Sequence, residues 1–485
     1  MNSICTTVKA LDTSNNSATE KDVKSKPGVV LYDANRLPPE ALVPSFQHME
    51  LFVDFDHQSI SDPFDGDDTA FRKSSHPIST LPGRMALHST RLQMYQFRTF
   101  VFSVGVFGNV ARLFRWDRSG AVVSESIRFP EKGNRELTEF FYRFDLADRA
   151  ERGCDSTVSD ATREETTAFN RAIKTSVEEG KNKVFEELSR SVGDDIKYSR
   201  KKVHVIHPSG GQTSYVIGCS TVTPKYPVGR CTRGFVAMDT ETQKLVFLKD
   251  CWRPNIPEVK SESHWHKILR GARNIAAFSH GSDVETVAPR RGATTRGMRR
   301  TTKPHLTLTQ DYAKKYSNIE AMVGYVHYRT IQCELYVPLH TFRDSRHLTE
   351  IMYDVLLGKG SFQYSNLLPL ILPPPTAIED LHERGVLHRD ISDGNIMITI
   401  GGRGRLIDFE FAQEVNSSDP HQGTRAVCFP PRDALIIVHR RNFGMHRVRG
   451  SSCPPSYSPS PRRFTNCATT WNLIFSSCCL MPSAS

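Results

Sequence analysis

The chain has 485 residues, long enough for two or three domains, and its 38% hydrophobic and 24% charged residues exclude fibrous and wholly disordered classes. Its net charge of +10 is spread along the chain, and the densest basic run, Arg290 to Lys303, lies among Gly and Thr, which argues for a basic loop and against a nucleic-acid partner. Eleven cysteines at irregular spacing follow no apolar leader, and no run reaches the roughly 18 apolar residues of a membrane span; the expectation is reduced thiols, no membrane, and a cytoplasmic or nuclear location.

Residues 1–26 read as a disordered N-terminus. Residues 27–157 read as an α/β module, in which "GVVLYD", "MELFVDF" and "FRTFVFSVGVF" are β-branched and aromatic runs and "ARLFRWDRSGAVV" is two strands about an Asp-Arg-Ser-Gly turn. "ELFVDFDH" has the acids of a nuclease-like strand, but Asp56 stands where a Lys is needed and Gly28 where an Asp is needed. A binding or regulatory module is the expectation. Residues 158–200 read as a helical linker, with Phe169, Ala172, Ile173, Ser176 and Val177 at helical spacing.

Residues 201–340 are β-rich. "KVHVIH", "TSYVIG", "GRCTRGFVAMD" and "KLVFLKDCW" suit a small antiparallel sheet over a nucleotide, with Lys249 pointing inward. A helix in "SHWHKIL", a basic loop over 286–304 and two strands in "AMVGYVHYRTIQCELYVPL" follow. In 341–427 a helix starts at "HLTEIMYDVLL" and is broken over 358–376, where Pro369 and Pro373 to Pro375 forbid helix. Deleting that segment restores the apolar spacing of Met352, Val355, Ile378 and Leu381, which predicts either an intron translated in frame or a loop insertion. Residues 428–485, rich in Ser, Pro, Cys and Arg, read as a disordered tail.

Chemistry concentrates in "VLHRDISDGNIMI" and "GRLIDFEFA". Phosphoryl transfer needs phosphates held, metal ions bridging them and a carboxylate at the acceptor hydroxyl. His388-Arg389-Asp390, then Asn395, then Asp408 at the end of an apolar strand match H-R-D-x-x-x-x-N and the metal-binding Asp of kinases. Asp390 is expected to accept the acceptor hydroxyl's hydrogen bond, Asn395 and Asp408 to bind Mg²⁺, and His388 and Arg389 to support the loop.

The region from about 202 to 412 resembles a protein-kinase-like fold, specifically the fungal-type protein kinase family, through "VGRCTRGFVAMDTETQKLVFLKDCWR" and the two stretches above. "MELFVDFD" and "FRTFVFSVGVFGNVARLFRWDRSGAVV" resemble the module that precedes the kinase there. The resemblance implies an α+β class, a two-lobe fold preceded by an α/β module. It also implies ATP and Mg²⁺ as cofactors and a protein substrate with a Ser/Thr hydroxyl. It makes Lys249 the lysine at the nucleotide phosphates, with Glu262, chosen over Glu258, as its partner. Gly229 and Gly234 fall at the phosphate-covering turn, although "VGRCTRGF" is not G-x-G-x-x-G. Residues 333–339, with Glu334, become the hinge that receives adenine.

Ser392 replaces a common Lys and "DFE" replaces D-F-G. Both fit this family, and both also resemble aminoglycoside- and choline-type small-molecule kinases. Beyond 427 the helices that complete a large lobe have no counterpart, so the C-lobe is expected to be incomplete, through a frameshift, a mis-spliced exon or natural truncation. A catalytically silent scaffold is therefore the rival expectation.

Overall fold

The computed structural model describes residues 5–18, 26–56, 62, 64, 81–129, 131, 133–180, 200–207, 210–222, 224, 226–287, 302–317, 322–356, 376–415, 435–440 and 473–474. Among them no helix is long and apolar enough to cross a membrane.

The N-terminal module is built on one sheet. Strands β1 (Val8–Asp12), β2 (Val29–Asp33) and β3 (Met49–Asp56) form an antiparallel meander; helix α1 (Leu81–Tyr95) then carries the chain to β4 (Val101–Phe107), parallel to β3. A parallel pair cannot be joined by a tight hairpin, and α1 supplies the crossover. Strands β5 (Val110–Asp117) and β6 (Gly120–Ser124) continue antiparallel. Alternating residues feed two cores. Val30, Tyr32, Phe52, Phe114 and Trp116 pack with Leu81, Met85 and Leu92 of α1, while Leu31, Leu51, Phe102 and Leu113 meet helix α2 (Glu136–Leu146) through Phe140, Phe141 and Phe144. Burying each such aromatic contributes about 1.5–3 kcal/mol.

Both ends of the chain depart from expectation. Residues 1–26 were predicted disordered, yet β1 lies in the sheet. Its approach is held by Asp145 of α2, whose carboxylate accepts the backbone N–H groups of Thr6, Thr7 and Val8 at 2.9, 2.7 and 2.9 Å. The tail 428–485 was also predicted disordered; of it the structure describes only 435–440 and 473–474. Instead the β-branched run in β21 (Leu435–Arg440) pairs in parallel with β6, and β22 (Leu473–Ile474) pairs with β21. An open strand edge is a ready template for such a run.

The second sheet has the order β12-β15-β11-β10-β9-β8-β7. It contains β7 (Val158–Asp160), β8 (Lys201–Ile206), β9 (Gln212–Val222), β10 (Arg233–Asp239), β11 (Leu245–Pro254), β12 (Phe278–Asp283) and β15 (Tyr325–Gln332), all antiparallel. The segment read as linker 158–200 thus begins with a strand of this sheet. Helix α3 (Arg163–Gly180) follows it, and helix α4 (Glu262–Ile268) follows β11. The predicted basic loop 286–304 is zipped at its ends by β13 (Glu285–Val287) and β14 (Thr302–Pro304); 288–301 lie outside the described residues.

The Asp-Arg-Ser-Gly turn docks the two sheets together. Asp117 Oδ2 accepts the N–H groups of Leu308 and Thr309 at 2.8 and 3.0 Å, at the start of helix α5 (Thr309–Ser317), and Ser119 Oγ donates to Val323 O at 2.9 Å. Arg118 O accepts the Gly229 N–H at 2.8 Å.

Beyond β15, the small element β16 (Val337–Pro338) leads to α6 (Ser345–Val355), α7 (Ala377–Glu383), β17 (Val386–Leu387), β18 (Ile396–Ile398), β19 (Gly404–Leu406) and β20 (Gln413–Glu414). Ile351, Val355, Ala377 and Leu381 share one core with Ile396, Leu406 and Phe409. The sequence predicted that α6 and α7 become one helix once 358–376 is removed. In the structure α7 has its own start: Thr376, assigned to the interruption, is buried and forms a capping box with Glu379. Residues 357–375 lie outside the described residues.

Candidate active site

Lys249 sits on β11 in register with Gly234 of β10 and Thr330 of β15. It is buried, and strand alternation puts it on one face with Phe247 and Cys251. Its Nζ donates to Glu262 Oε2 at 3.1 Å and to Asp408 Oδ1 at 2.9 Å, and lies 2.8 Å from Glu410 Oε1. Glu262 arrives from the first turn of α4, and Asp408 and Glu410 from the segment after β19. Glu410 also pairs with Arg230 of the β9–β10 connection, whose guanidinium lies 4.2 Å from the Phe411 ring centroid. Two cations therefore face three carboxylates.

The electrostatics follow from that imbalance. Burial alone would lower the Lys249 ammonium, but Asp408, Glu262 and Glu410 hold it well above its ordinary value. Burial opposes ionisation of Glu262 too, and the attraction of Lys249 brings it down to about 2. Asp408 moves the other way. Burial and repulsion from Glu410 and Glu262 outweigh Lys249 and raise its carboxyl above the usual range.

The loop after β17 is stitched to the same place. His388 is buried, and its Nε2 faces Ile407 O at 2.9 Å; a carbonyl only accepts, so that nitrogen carries the proton. Its Nδ1 then accepts from Asp390 N at 3.3 Å. Burial lowers the His388 imidazole, which favours this neutral form. Asn395 Nδ2 donates to Asp390 O at 2.8 Å and to Asp390 Oδ2 at 2.9 Å, while Asn395 O accepts from Ile407 N at 3.0 Å. Ile407 thereby ties both residues to the strand leading into Asp408. Arg389 donates to Gln413 Oε1. Arg389 and Asp408 have φ of 66° and 64°, and a non-glycine residue in that region stores about 1–3 kcal/mol of strain, a pattern concentrated at functional sites.

The structure thus brings Lys249, Glu262 and Asp408 into contact and links His388, Asp390 and Asn395 to them. Gly229 lies in the β9–β10 connection with φ of 89°. Gly234 is not on the turn where the sequence placed it. It is inside β10, and a Cβ there would stand 2.5 Å from Phe247 Cζ, so close packing explains this glycine. Glu334 is exposed between β15 and β16 and lines a cleft of about 960 Å³ with Leu335, Thr399 and Arg405.

Three features escaped the sequence reading. Glu410 was seen as a departure from D-F-G, without its charge partners, and Arg230 lay unnoticed inside "VGRCTRGF". The third is α3, read as a linker: its Phe169 and Ile173 pack on Val216, Val236, Met238, Phe247 and Leu335, covering the sheet face that also bears Lys249. Its Ala168, Arg171 and Ala172 line the same large cleft as Glu334.

A family model described as "Fungal protein kinase" matches residues 87–429. The chain is similar to the serine/threonine-protein kinase STE20 of Candida glabrata, at 24% identity over 179 residues, 37% of this chain and 18% of that protein. It is similar to the cGMP-dependent protein kinase, isozyme 1, of Drosophila melanogaster, at 30% over 162 residues, 29% of this chain and 19% of that protein. The serine/threonine-protein kinase pakA of Talaromyces marneffei is 35% identical over 69 residues, covering 14% and 11%. The chain therefore spans less than a fifth of the length of these relatives. A solved structure, the ROP18 kinase domain in complex with AMP-PNP and sucrose, covers 55% of this chain and 70% of its own at 14% identity and a TM-score of 0.27.

Proposed function

Since the chain belongs to the fungal protein kinase family, we propose that it is an ATP- and Mg²⁺-dependent phosphotransferase acting on Ser/Thr hydroxyls of proteins. The observation that carries this reading is Lys249, buried between Glu262 and Asp408 while Asp390 and Asn395 are laced to the Asp408 strand through Ile407. Fixed groups at short range are what phosphoryl transfer asks of a protein.

In this reading Asp390 receives the hydrogen bond of the attacking hydroxyl and takes its proton as the oxygen–phosphorus bond forms and the bond to the leaving nucleoside diphosphate breaks. Asn395 holds the Asp390 carboxylate in place. Lys249 exchanges a carboxylate contact for a nucleotide phosphate, and Glu262 keeps it aimed. The donor set fits a hard cation: Asn395, Asp408 and Glu410 offer oxygen, and the carboxylates outnumber the cations by one. Mg²⁺ held there would neutralise phosphate charge.

A catalytically silent scaffold is the second reading, favoured by two observations. Helix α3 covers Val236, Phe247 and Leu335, on the face where a base would lie, and Lys249 is already saturated by three carboxylates. Phosphate transfer from labelled Mg-ATP to a mixed protein substrate and to small alcohols, beside thermal shifts with Mg-ATP, separates the two. Transfer to protein that is lost by at least about 10²-fold in Asp390→Asn, with the nucleotide shift retained, supports the kinase. A shift without transfer refutes the kinase and leaves a scaffold that still holds nucleotide, and transfer to alcohols alone replaces the protein substrate by a small molecule. No shift beyond that of Asp408→Ala refutes the kinase and supports the silent scaffold.

A further inference from the structure

Asp155, His305 and His327, we infer, form a binding site for a zinc-class divalent cation where the N-terminal module meets the second sheet. Asp155 closes the module just before β7, His305 follows β14, and His327 lies on β15. All three are buried, at 4, 9 and 3% exposure. Nδ1 of His305 is 3.4 Å from Nδ1 of His327 and 4.0 Å from Asp155 Oδ1, and His327 Nδ1 is 3.8 Å from Asp155 Oδ2. Ligand atoms about 2.0–2.1 Å from a tetrahedral zinc ion stand about 3.4 Å from one another; the two ring nitrogens already match this spacing, and one Asp155 oxygen with both rings spans at most 4.8 Å, so the set needs only a small contraction around an ion.

The surroundings orient each donor. His327 Nε2 is 3.0 Å from Asp250 Oδ2, which as a carboxylate only accepts. The proton therefore sits on Nε2, and the bare lone pair on Nδ1 faces His305 and Asp155. A carboxylate behind an imidazole in this manner is the arrangement that fixes metal-bound histidines. Trp252 stacks on the same ring at 4.7 Å and 6°. His305 Nε2 meets Thr286 Oγ1. Asp155 is held by Thr157 N at 2.8 Å, Thr157 Oγ1 at 2.6 Å and Arg329 at 2.6 Å. A cleft of about 260 Å³, lined by Ser156, Thr157, Val284, Glu285 and Arg329, opens beside the donors.

Charge selects the ion. Arg233 and Arg329 already match the carboxylates of Asp155 and Asp250, so an ion here shares Asp155 with Arg329 and gains chiefly from nitrogen. Mg²⁺, which needs oxygen ligands, gains little; Zn²⁺, at home with imidazole and carboxylate, gains most. The ion clamps three segments far apart in the chain, among them the hairpin that flanks the basic run. The competing account is a hydrogen-bond relay, Thr286 to His305 to His327 to Asp250, with one long 3.4 Å step.

The test is metal analysis of the full chain, without a histidine tag, loaded with zinc and gel-filtered into metal-free buffer. The expected result is about one zinc per chain, lowered about tenfold or more in His305→Gln and in His327→Gln and unchanged in Asp408→Asn. Cobalt(II) loading should give the visible absorption of a four-coordinate ion in the wild type and lose it in both His variants. A wild-type chain that retains less than about a tenth of an equivalent of zinc overturns the proposal in favour of the relay. So does zinc that survives in both His variants, or that disappears in Asp408→Asn, since the ion then lies elsewhere. If a His variant fails to fold, wild-type stoichiometry and the cobalt spectrum decide alone.

Discussion

Lys249→Met should destabilise the fold far more than Glu262→Gln, because of the charge count around Lys249. The wild-type cluster holds Lys249 and Arg230 against Glu262, Asp408 and Glu410, an excess of one negative charge. Removing the lysine doubles that excess, whereas neutralising Glu262 abolishes it. Leaving buried charge without its partner costs about 3–5 kcal/mol. The side chain of Asp408 is 21% exposed, against 0% for Glu262 and 8% for Glu410, so water screens part of the repulsion. Roughly 3 kcal/mol is then expected for Lys249→Met and about 1–2 kcal/mol for Glu262→Gln.

The double variant returns to the wild-type excess. It should be more stable than the sum of the single losses allows, by at least about 1 kcal/mol. Urea unfolding of the four proteins reads all three numbers. The pH dependence supplies a sign. In Lys249→Met the carboxylates protonate more readily folded than unfolded, so stability should climb as pH falls toward the carboxylate range. Equal losses in the two single variants, or a double variant with simple additivity, would refute the charge argument.

Gly234→Ala should lose about 1–3 kcal/mol in the same assay, since its Cβ would stand 2.5 Å from the Phe247 ring within a tight sheet. Asp145→Asn should weaken the anchoring of β1. Burial raises the Asp145 carboxyl, but the amides of Thr6, Val8 and Thr7 lower it further, so its folded value lies below the usual one. Its contribution is therefore present above the ordinary carboxylate range and lost as pH falls through it. The stability gap between wild type and Asp145→Asn, followed by acid titration, should narrow toward low pH, and a constant gap would contradict this. Thr376→Ala removes the capping box of α7 and should lower stability by about 1 kcal/mol; no loss would mean that packing of Ala377 and Leu381 alone sets the helix start.

Strand alternation made most of both sheets legible, because residues such as Val30, Leu31 and Tyr32 point alternately into two cores and repeat with period two. The reactive loop was legible for a different reason, since four residue types agree in spacing. Helix α1 went unread because it is buried almost all round, so that Leu81, Met85, His88 and Gln93 form no stripe between polar faces. In α3 the stripe of Phe169, Ala172 and Ile173 was visible, but periodicity names a buried face without naming what covers it. Charge partners are harder still. Nothing local to "VGRCTRGF" or "DFEFA" says that Arg230 and Glu410 meet across 180 residues, and only the fold brings the β9–β10 connection over Phe411. The strand in 435–440 was hidden by the composition around it.

The turn at Asp117–Gly120 has a consequence for how free energy is shared. One end of it grips the amides at the start of α5, and its centre accepts the Gly229 N–H from the connection that carries Arg230. A grip on both sides makes the turn a fulcrum. Whatever fixes the Arg230 connection, as Glu410 does, also restrains the N-terminal module, and by reciprocity a module seated firmly on α5 steadies that connection. The α/β module in this sense borders the connection that carries Arg230, through the Gly229–Arg118 backbone hydrogen bond and the packing of Val228 on the module's core.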